Sequence, residues 1–259
     1  LTLQGYSYAA SGSGRGVDLN NDVIAASGTV SMTGQHNTGA TYALSLSGST
    51  SITAGTGVTL ESLNNNTGTI ALLSSGGING GSGTVLMRAA NYAFGGADRT
   101  ITTTGVLTIE PDADENSFAS SFDNQYLNPV SVTGLTLGKS SNASAITLSR
   151  AISLSGPVSI YGGSIDVNAN ITANSGNILL DADTGSTLNQ SSTGILLDDV
   201  ITIETVTSGN LTLIGRSGDT GSGFDGIDAS SANTTTLRSA GNLTLQGYSY
   251  AASGSGRGV

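Results

Sequence analysis

The chain has 259 residues, of which 10% are charged, 5% are aromatic and 38 are glycine. The apolar content is too high for a typical disordered chain, the aromatic content is low for a globular core, and no apolar run is long enough for a membrane helix, which needs about 18 residues. A net charge of −10 excludes the basic face that nucleic-acid binding needs, and the absence of cysteine excludes disulfides and thiolate metal sites.

The chain starts and finishes with the same 17 residues. Residues 1–17 (the first copy) and 243–259 (the second copy) both read LTLQGYSYAASGSGRGV, so the pattern returns after 242 residues. An identical match of this length indicates tandem duplication, and a fixed long period is typical of repeat proteins. We therefore predict one continuous solenoid domain over residues 1–259, made of one 242-residue repeat (1–242) and the start of the next (243–259). Both copies are expected to follow the same backbone path, with their exposed strand edges covered by adjoining repeats.

Short segments that alternate one apolar with one small polar residue follow one another along the chain. They lie at residues 29–32, 58–60, 69–72, 84–87, 106–109, 146–148, 158–160, 165–167, 200–203 and 211–213. In a strand this alternation places the aliphatic side chains on one face and Thr or Ser on the other. The residues expected to point into one narrow core are Ile70, Leu72, Val85, Val158, Ile160, Leu211 and Leu213.

Two all-β architectures compete for this pattern. An antiparallel sandwich usually has longer strands and aromatic core anchors, whereas this chain has no Trp and four Phe. Short, nearly interchangeable strands joined by Gly and Asn favour a parallel β-helix, or β-solenoid, in which like residues stack on the next coil. With two or three strands per coil, the repeat would hold about 8 to 11 coils and extend about 40 to 50 Å. One or two loop excursions are expected, at residues 110–129 and 216–228.

The first excursion is acidic and has partial calcium-loop spacing. Asp112, Asp114 and Asn116 fall at loop positions 1, 3 and 5, and Asp123 falls at position 12. The glycine usual at position 6 is a serine, and the bidentate Glu is replaced by Asp. Calcium at these four residues is one hypothesis, and a solvated acidic loop that packs its aromatic residues back on the coils is the other. No further cofactor is predicted.

The phrase Gly-Asn-aliphatic-x-Leu recurs at residues 176–180, 209–213 and 241–245. Gly and Asn permit positive-φ corners, and asparagines can stack on one another in successive coils, with residues 64–66 as a further candidate corner. These phrases resemble the repeats of the filamentous-haemagglutinin class of large bacterial surface adhesins. The resemblance implies a right-handed parallel β-helix, export across a Gram-negative outer membrane and an extracellular fibre, and it names no ligand.

Enzymatic chemistry has little support in the sequence. His36 is the single histidine and stands in a polar segment where we expect it to face solvent. Asp181 and Asp183 are spaced to face one side of a strand, whereas Asp198 and Asp199 are neighbours that face opposite sides. We predict that the chain is not an enzyme.

The sequence thus predicts a structural or adhesive extracellular fibre: a rod segment of a giant secreted repeat protein at the bacterial cell surface, mediating attachment or matrix formation. Its expected partners are adjoining copies of the repeat end to end, with lateral fibre contacts or glycans of host or neighbouring cells as further options. One alternative is a carbohydrate-binding module, and a weaker one is a polysaccharide-degrading enzyme. The tyrosines available for a carbohydrate platform are Tyr6, Tyr8, Tyr42, Tyr92 and Tyr161.

Overall fold

The computed structural model describes residues 1–8, 14–36, 42–63, 68–73, 76–112, 115–129, 131–182, 192–218, 223–230, 234–250, 254 and 256–259. These residues form strands joined by turns and bends, and none of them lies in a helix. Within these ranges there is accordingly no helix that is long and apolar enough to cross a membrane.

The strands are short and follow one another closely. The first fourteen are β1 (Thr2–Ser7), β2 (Arg15–Asn20), β3 (Val23–Ala26), β4 (Val30–His36), β5 (Tyr42–Ser47), β6 (Ser51–Ala54), β7 (Val58–Ser62), β8 (Thr69–Leu72), β9 (Ile78–Asn79), β10 (Val85–Arg88), β11 (Asn91–Phe94), β12 (Arg99–Thr102), β13 (Val106–Glu110) and β14 (Phe122–Asp123). The remaining strands are β15 (Leu127–Pro129), β16 (Gly134–Leu137), β17 (Ile146–Leu148), β18 (Ile152–Leu154), β19 (Val158–Gly162), β20 (Ile165–Val167), β21 (Ile171–Ser175), β22 (Ile178–Ala182), β23 (Ile195–Leu197), β24 (Thr202–Ser208), β25 (Leu211–Arg216), β26 (Ile227–Asp228), β27 (Thr236–Arg238) and β28 (Leu243–Tyr248).

The chain divides into two compact units. Unit 1 comprises Leu1–Ser120 and Tyr126–Thr133, and unit 2 comprises Ser121–Gln125 and Gly134–Val259. In unit 1 the strands form three sheets, β1-β4-β7-β10-β13, β2-β5-β8-β11 and β3-β6-β9-β12-β15. Each strand pairs in parallel with the strand three further along the chain, so three strands make one coil.

Unit 2 repeats this arrangement. Its sheets are β16-β19-β22-β25-β28, β14-β17-β20-β23-β26 and β18-β21-β24-β27, again with parallel pairing at a step of three strands. The predicted all-β parallel solenoid with short strands is therefore confirmed. Its right-handedness and its continuity as one domain stay predictions.

Like residues stack in columns inside each unit. In unit 1 one inward column runs from Leu3 through Met32, Leu60 and Met87 to Ile109. All seven residues predicted for the core are fully buried: Ile70, Leu72, Val85, Val158, Ile160, Leu211 and Leu213. Because every coil supplies an aliphatic side chain at the same slot, burial needs no large aromatic anchor.

Two of the three Gly-Asn phrases have the positive-φ glycine that the sequence predicts. Gly176 and Gly209 have φ values of 122° and 110°, in the region that favours glycine. The side-chain oxygen of Asn177 accepts a hydrogen bond from the backbone N–H of Asn210 at 2.9 Å, and that of Asn210 accepts one from Asn242 at 2.9 Å. An asparagine ladder therefore joins three successive coils of unit 2. The other candidate corner, residues 64–66, lies outside the described residues.

The acidic excursion is shorter than the sequence predicts. Phe118 and Phe122 are buried, so its aromatic residues pack back as expected. However, Phe122 and Asp123 form β14, which pairs with β17, and Leu127–Pro129 form β15, which pairs with β12. Alternation of an apolar with a polar residue is present at both places, and the prolines and charges around them mask it. The second excursion is also shortened, because β25 continues to Arg216.

A buried arginine in unit 1 was not predicted. Arg99 is fully buried, and its guanidinium donates to the backbone carbonyls of Gly76 at 2.8 Å, Leu46 at 3.2 Å and Thr50 at 3.2 Å. Burial lowers the pKa of Arg99 to about 10. Its donors bind backbone carbonyls of other coils, one of which, that of Leu46, also accepts from the backbone N–H of Leu73.

Candidate functional site

The two copies of the 17-residue segment form the outermost strands of their units. β1 pairs with β4, with Leu3 opposite Met32 and Tyr6 opposite Gln35. Side chains alternate along β1, so that Leu3 and Gly5 are half-buried on the inner face and Tyr6 is exposed on the outer face. This strand therefore continues the inner and outer columns of unit 1.

The second copy is seated on β25. In this pairing Leu243 lies opposite Leu211, Leu245 opposite Leu213, and Tyr248 opposite Arg216. The backbone N–H of Leu211 donates to the carbonyl of Asn242 at 3.0 Å, one residue before the copy begins. On the inner face of this pair, leucine lies opposite leucine at two positions and glycine lies opposite glycine at the third.

Each copy has the same close contact between two of its own glycines. A Cβ on Gly5 would overlap the carbonyl oxygen of Gly16, and a Cβ on Gly247 would overlap the carbonyl oxygen of Gly258. In each copy the two backbone segments approach so closely that no side chain fits between them. Both copies share this contact, and the identity of their whole backbone paths stays a prediction.

The strands that support the copies carry glycine at the same register. Gly34 of β4 lies opposite Gly5, and Gly215 of β25 lies opposite Gly247. A Cβ on Gly34 would overlap the carbonyl oxygen of Ala43, and one on Gly215 would overlap that of Gly226. The same close backbone approach thus occurs in each end coil and again in the coil next to it.

Tyrosines of the first copy line a pocket of about 260 Å³ with Ser7, Gln35 and His36. Tyr6 is 54% exposed and Tyr8 is 83% exposed. An aromatic face beside amide and imidazole groups can hold a ligand that has both apolar and hydrogen-bonding surfaces. Of the other tyrosines considered for a carbohydrate platform, Tyr92 is unsuitable because its hydroxyl lies 2.9 Å from the carbonyl oxygen of Met87, inside unit 1. Tyr42 and Tyr161 are half-buried.

The tyrosines of the second copy have a different neighbour. The guanidinium of Arg216 lies 5.6 Å from the ring centre of Tyr248, which stacks on Tyr250 with ring centres 6.5 Å apart. The same guanidinium donates to Asp181 at 3.1 Å. Burial raises the pKa of Asp181, and the hydrogen bond and charge of Arg216 oppose that rise. Arg216 therefore joins an outer-face carboxylate of one coil to the aromatic ring of a later coil.

The inner face of unit 2 is open beside the second copy. A pocket of about 290 Å³ is lined by apolar side chains that include Leu197, Ile227, Leu237, Leu245 and Val259, and by the polar residues Asp225, Asp228, Ser230 and Arg257. Leu245 is 39% exposed, whereas Leu213, directly opposite it, is fully buried. The column of core side chains thus ends at the partly exposed Leu245, beside a pocket that has both apolar and polar walls.

The residues considered for catalysis have structural surroundings that the sequence did not indicate. His36 is 5% exposed, so the expectation that it faces solvent is wrong. It is the last residue of β4 and lies on the same inward face of that strand as Val30 and Met32. Asp198 and Asp199 are exposed, and Asp183 lies outside the described residues.

The calcium hypothesis stays a prediction. Asp114 lies outside the described residues. Asp112 is buried and Asn116 is exposed. The two carboxylate oxygens of Asp123 accept hydrogen bonds from the backbone N–H of Gln125 at 2.9 Å and the hydroxyl of Ser149 at 3.1 Å. In the part of the chain that the structure describes, no group of three or more His, Cys, Asp or Glu side chains is arranged to hold a metal ion.

Sequence reasoning missed the roles of Gln35, Arg216 and the paired glycines. The pattern Leu-Thr-Leu-x-Gly at residues 1–5, 211–215 and 243–247 is the signal that marks the glycine positions. Nothing in the sequence indicates which side chain stands opposite each tyrosine, because that depends on the coil register. Comparison with known families, with curated proteins and with solved structures finds no significant match.

Proposed function

We propose that the chain is a segment of a structural and adhesive extracellular fibre, in which 242-residue repeats stack end to end at the bacterial cell surface. One observation carries the proposal. The first strand of unit 1 and the last strand of unit 2 come from the two copies of the same 17-residue segment, with the same internal glycine contact in both places. A single segment thus serves as a preceding and as a following coil.

The proposed mechanism is mechanical. Parallel pairing joins each coil to the next through backbone hydrogen bonds, the Asn177–Asn210–Asn242 ladder adds side-chain bonds, and the inner columns bury aliphatic residues continuously. If the second copy is the first coil of the next repeat, none of these three series is interrupted at the repeat boundary. Reach and tensile continuity then follow from the number of repeats.

Secretion and a cell-surface location are part of the proposal. They rest on the resemblance of the Gly-Asn phrases to filamentous-haemagglutinin repeats. The proposed partners are adjoining repeats, and lateral contacts between fibres would add matrix formation. No catalytic role is proposed.

Chains with one, two and three tandem repeats test the stacking. Nine coils precede Leu243, counted as the described strands that share the register of β1 and β25. At about 4.8 Å per coil, each added repeat should lengthen the particle by about 43 Å in electron micrographs and in small-angle scattering. Particles that appear as separate bead-like domains with variable spacing would contradict the proposal.

A second candidate function is carbohydrate binding, which the exposure of Tyr6 and Tyr8 beside Gln35 and His36 favours. Tyrosine rings stack on the apolar faces of sugars, and amide groups bond to their hydroxyls. Glycan-array binding by the isolated chain, lost in Tyr8→Ala and kept in Tyr161→Ala, would support it. Absence of binding to any glycan would leave only the structural role.

A further inference from the structure

We propose that the edge of β25 is a docking site for the first copy of another molecule of this chain, so that separate chains join head to tail by exchanging one identical coil. This inference rests on the proposed stacking of repeats and adds a non-covalent mode of assembly. The occupant is a second copy of the chain, and the segment that docks is residues 1–17.

The structure already contains this docking within unit 2. The second copy sits on β25, and its sequence is that of residues 1–17. By that identity, docking of the first copy would place Leu1 opposite Leu211, Leu3 opposite Leu213 and Gly5 opposite Gly215. Parallel main-chain hydrogen bonds and alternate side-chain slots are the general means by which a strand adds to a sheet edge.

The first copy has the edge that this docking requires. Within the described residues of unit 1, β1 pairs with β4, and its other edge carries no strand. Tyr6 of the docked molecule would then lie between Arg216 of the receiving molecule and Gln35 of its own chain. An interface in which one end of a molecule binds the opposite end of the next is heterologous, so it extends into a filament.

The attached second copy competes with this exchange. It is joined to β25 by residues 217–242 of the same chain, so its effective concentration is high and it occupies the edge in an isolated molecule. A change that weakens only the second copy should therefore open the edge to the first copy of another molecule.

Gly247→Val in the 259-residue chain makes that change, because the new side chain would overlap the carbonyl of Gly258 within the second copy. We expect this variant to form concentration-dependent oligomers in multiples of 25.6 kDa, measured by sedimentation or light scattering. Gly5→Val is the matched control at the same position of the first copy, and it should stay monomeric. Adding Gly5→Val to Gly247→Val should abolish the oligomers.

A monomeric Gly247→Val variant with wild-type circular dichroism would overturn the proposal, as would oligomers that persist in the double variant. If Gly247→Val unfolds the whole chain, Leu245→Ser provides the same test with Leu3→Ser as its control. Leu245 packs on Leu213, so a polar replacement weakens the seating of the second copy without a backbone clash.

Disulfide trapping tests the register, since the chain has no cysteine. In the Gly247→Val background, a chain with Thr2→Cys mixed with one with Thr212→Cys should form a disulfide-linked dimer under oxidised glutathione. Neighbouring parallel strands lie about 4.8 Å apart, which suits a disulfide. Gln4→Cys, expected opposite Ile214, should not link to Thr212→Cys, and the reverse result would overturn the proposed register. Tandem chains that lengthen regularly while Gly247→Val stays monomeric would refute the exchange and leave the proposed fibre intact.

Discussion

The first and second copies have one sequence and two sets of neighbours. In unit 1 the first copy lies beside β4, where Tyr6 faces Gln35, and Tyr8 is 83% exposed. In unit 2 the second copy lies beside β25, where Tyr248 faces Arg216, and Tyr250 is 42% exposed. The internal glycine contact is the same in both.

This comparison separates two kinds of information. The close backbone contact within the coil is common to both copies, because Gly5 meets Gly16 and Gly247 meets Gly258 although the neighbouring strands differ. The environment of each side chain is set by the adjacent coil, because the column partner changes the exposure and electrostatics of an identical tyrosine. In a solenoid, identical repeats can thus differ in chemistry wherever the flanking coils differ.

The largest expected effect is at the strand that seats the second copy. Leu213 is fully buried opposite Leu245, so Leu213→Ala should lower the free energy of unfolding by about 2–5 kcal/mol in urea denaturation. Leu245→Ala, at a partly exposed position, should cost about 1 kcal/mol or less. Equal losses of unfolding free energy at the two positions would show that the outer coil is packed as tightly as the interior, which would contradict the difference in burial between Leu245 and Leu213.

A smaller effect is expected at the glycine that seats the first copy. Gly34→Ala would place a Cβ against the backbone of Ala43, which cannot move independently, and should destabilise unit 1 by about 1–3 kcal/mol. Gly28→Ala is the control, since no atom outside its own chain neighbours lies within 4 Å of a Cβ there, and it should change stability by about 0.5 kcal/mol or less. Thermal melts of the two variants that coincide would contradict the close backbone approach.

Removing the neighbour of Tyr248 should have a moderate effect. Arg216→Ala loses the contact with the Tyr248 ring and leaves the half-buried Asp181 without this partner, so a loss of about 1–2 kcal/mol is expected. Arg15→Ala removes a similar contact with the Tyr42 ring, at 5.8 Å, and an ion pair with Asp18; because Asp18 is exposed, it should cost about 1 kcal/mol or less. A double-mutant cycle of Arg216→Ala with Asp181→Asn should show a coupling energy in the free energy of unfolding. Strict additivity would mean that the ion pair does not contribute to stability.

The sequence predicts the fold well because each coil is specified locally. Alternation at segments such as 211–213 marks strands, and the Gly-Asn phrases mark corners, so that parallel stacking and the core residues follow. The buried Arg99 could not be predicted, since its partners are backbone carbonyls of other coils. β14 and β15 were missed because strands of two or three residues carry too little alternation to outweigh the prolines and charges around them.

The sequence predicts which segment forms the candidate site, but not which residues lie opposite it. The repeat of residues 1–17 identifies the segment, and the alternation of Leu3, Gly5 and Tyr6 predicts which side chains face outward. The pairing of Tyr6 with Gln35 and of Tyr248 with Arg216 depends on loops of unequal length between the strands. Register therefore had to come from the structure. His36 illustrates the difficulty, because its polar neighbours hide the fact that it continues the inward side of β4.

The smallest expected effect is a pH dependence that distinguishes the surroundings of the second copy. Burial raises the pKa of Asp181 above the ordinary aspartate value of about 3.9, and Arg216 partly opposes this. A carboxyl whose pKa is higher in the folded state holds its proton longer when folded. Stability is therefore greatest below the ordinary pKa and is lost as pH rises through the pKa of the folded state. Burial also raises the pKa of Asp166, which contributes with the same sign.

Asp181→Asn should flatten the dependence of melting temperature on pH above about pH 4, because one of the two groups no longer releases its proton in this range. Arg216→Ala should steepen it, because the hydrogen bond and positive charge that lower the pKa of Asp181 are lost. Asp166→Asn should flatten the profile without altering the response to Arg216→Ala. Since Tyr248 lies beside the same guanidinium, a steeper profile in Arg216→Ala would tie the titration of Asp181 to the neighbour that the second copy has and the first copy lacks. An unchanged profile would mean that Arg216 acts on Tyr248 alone.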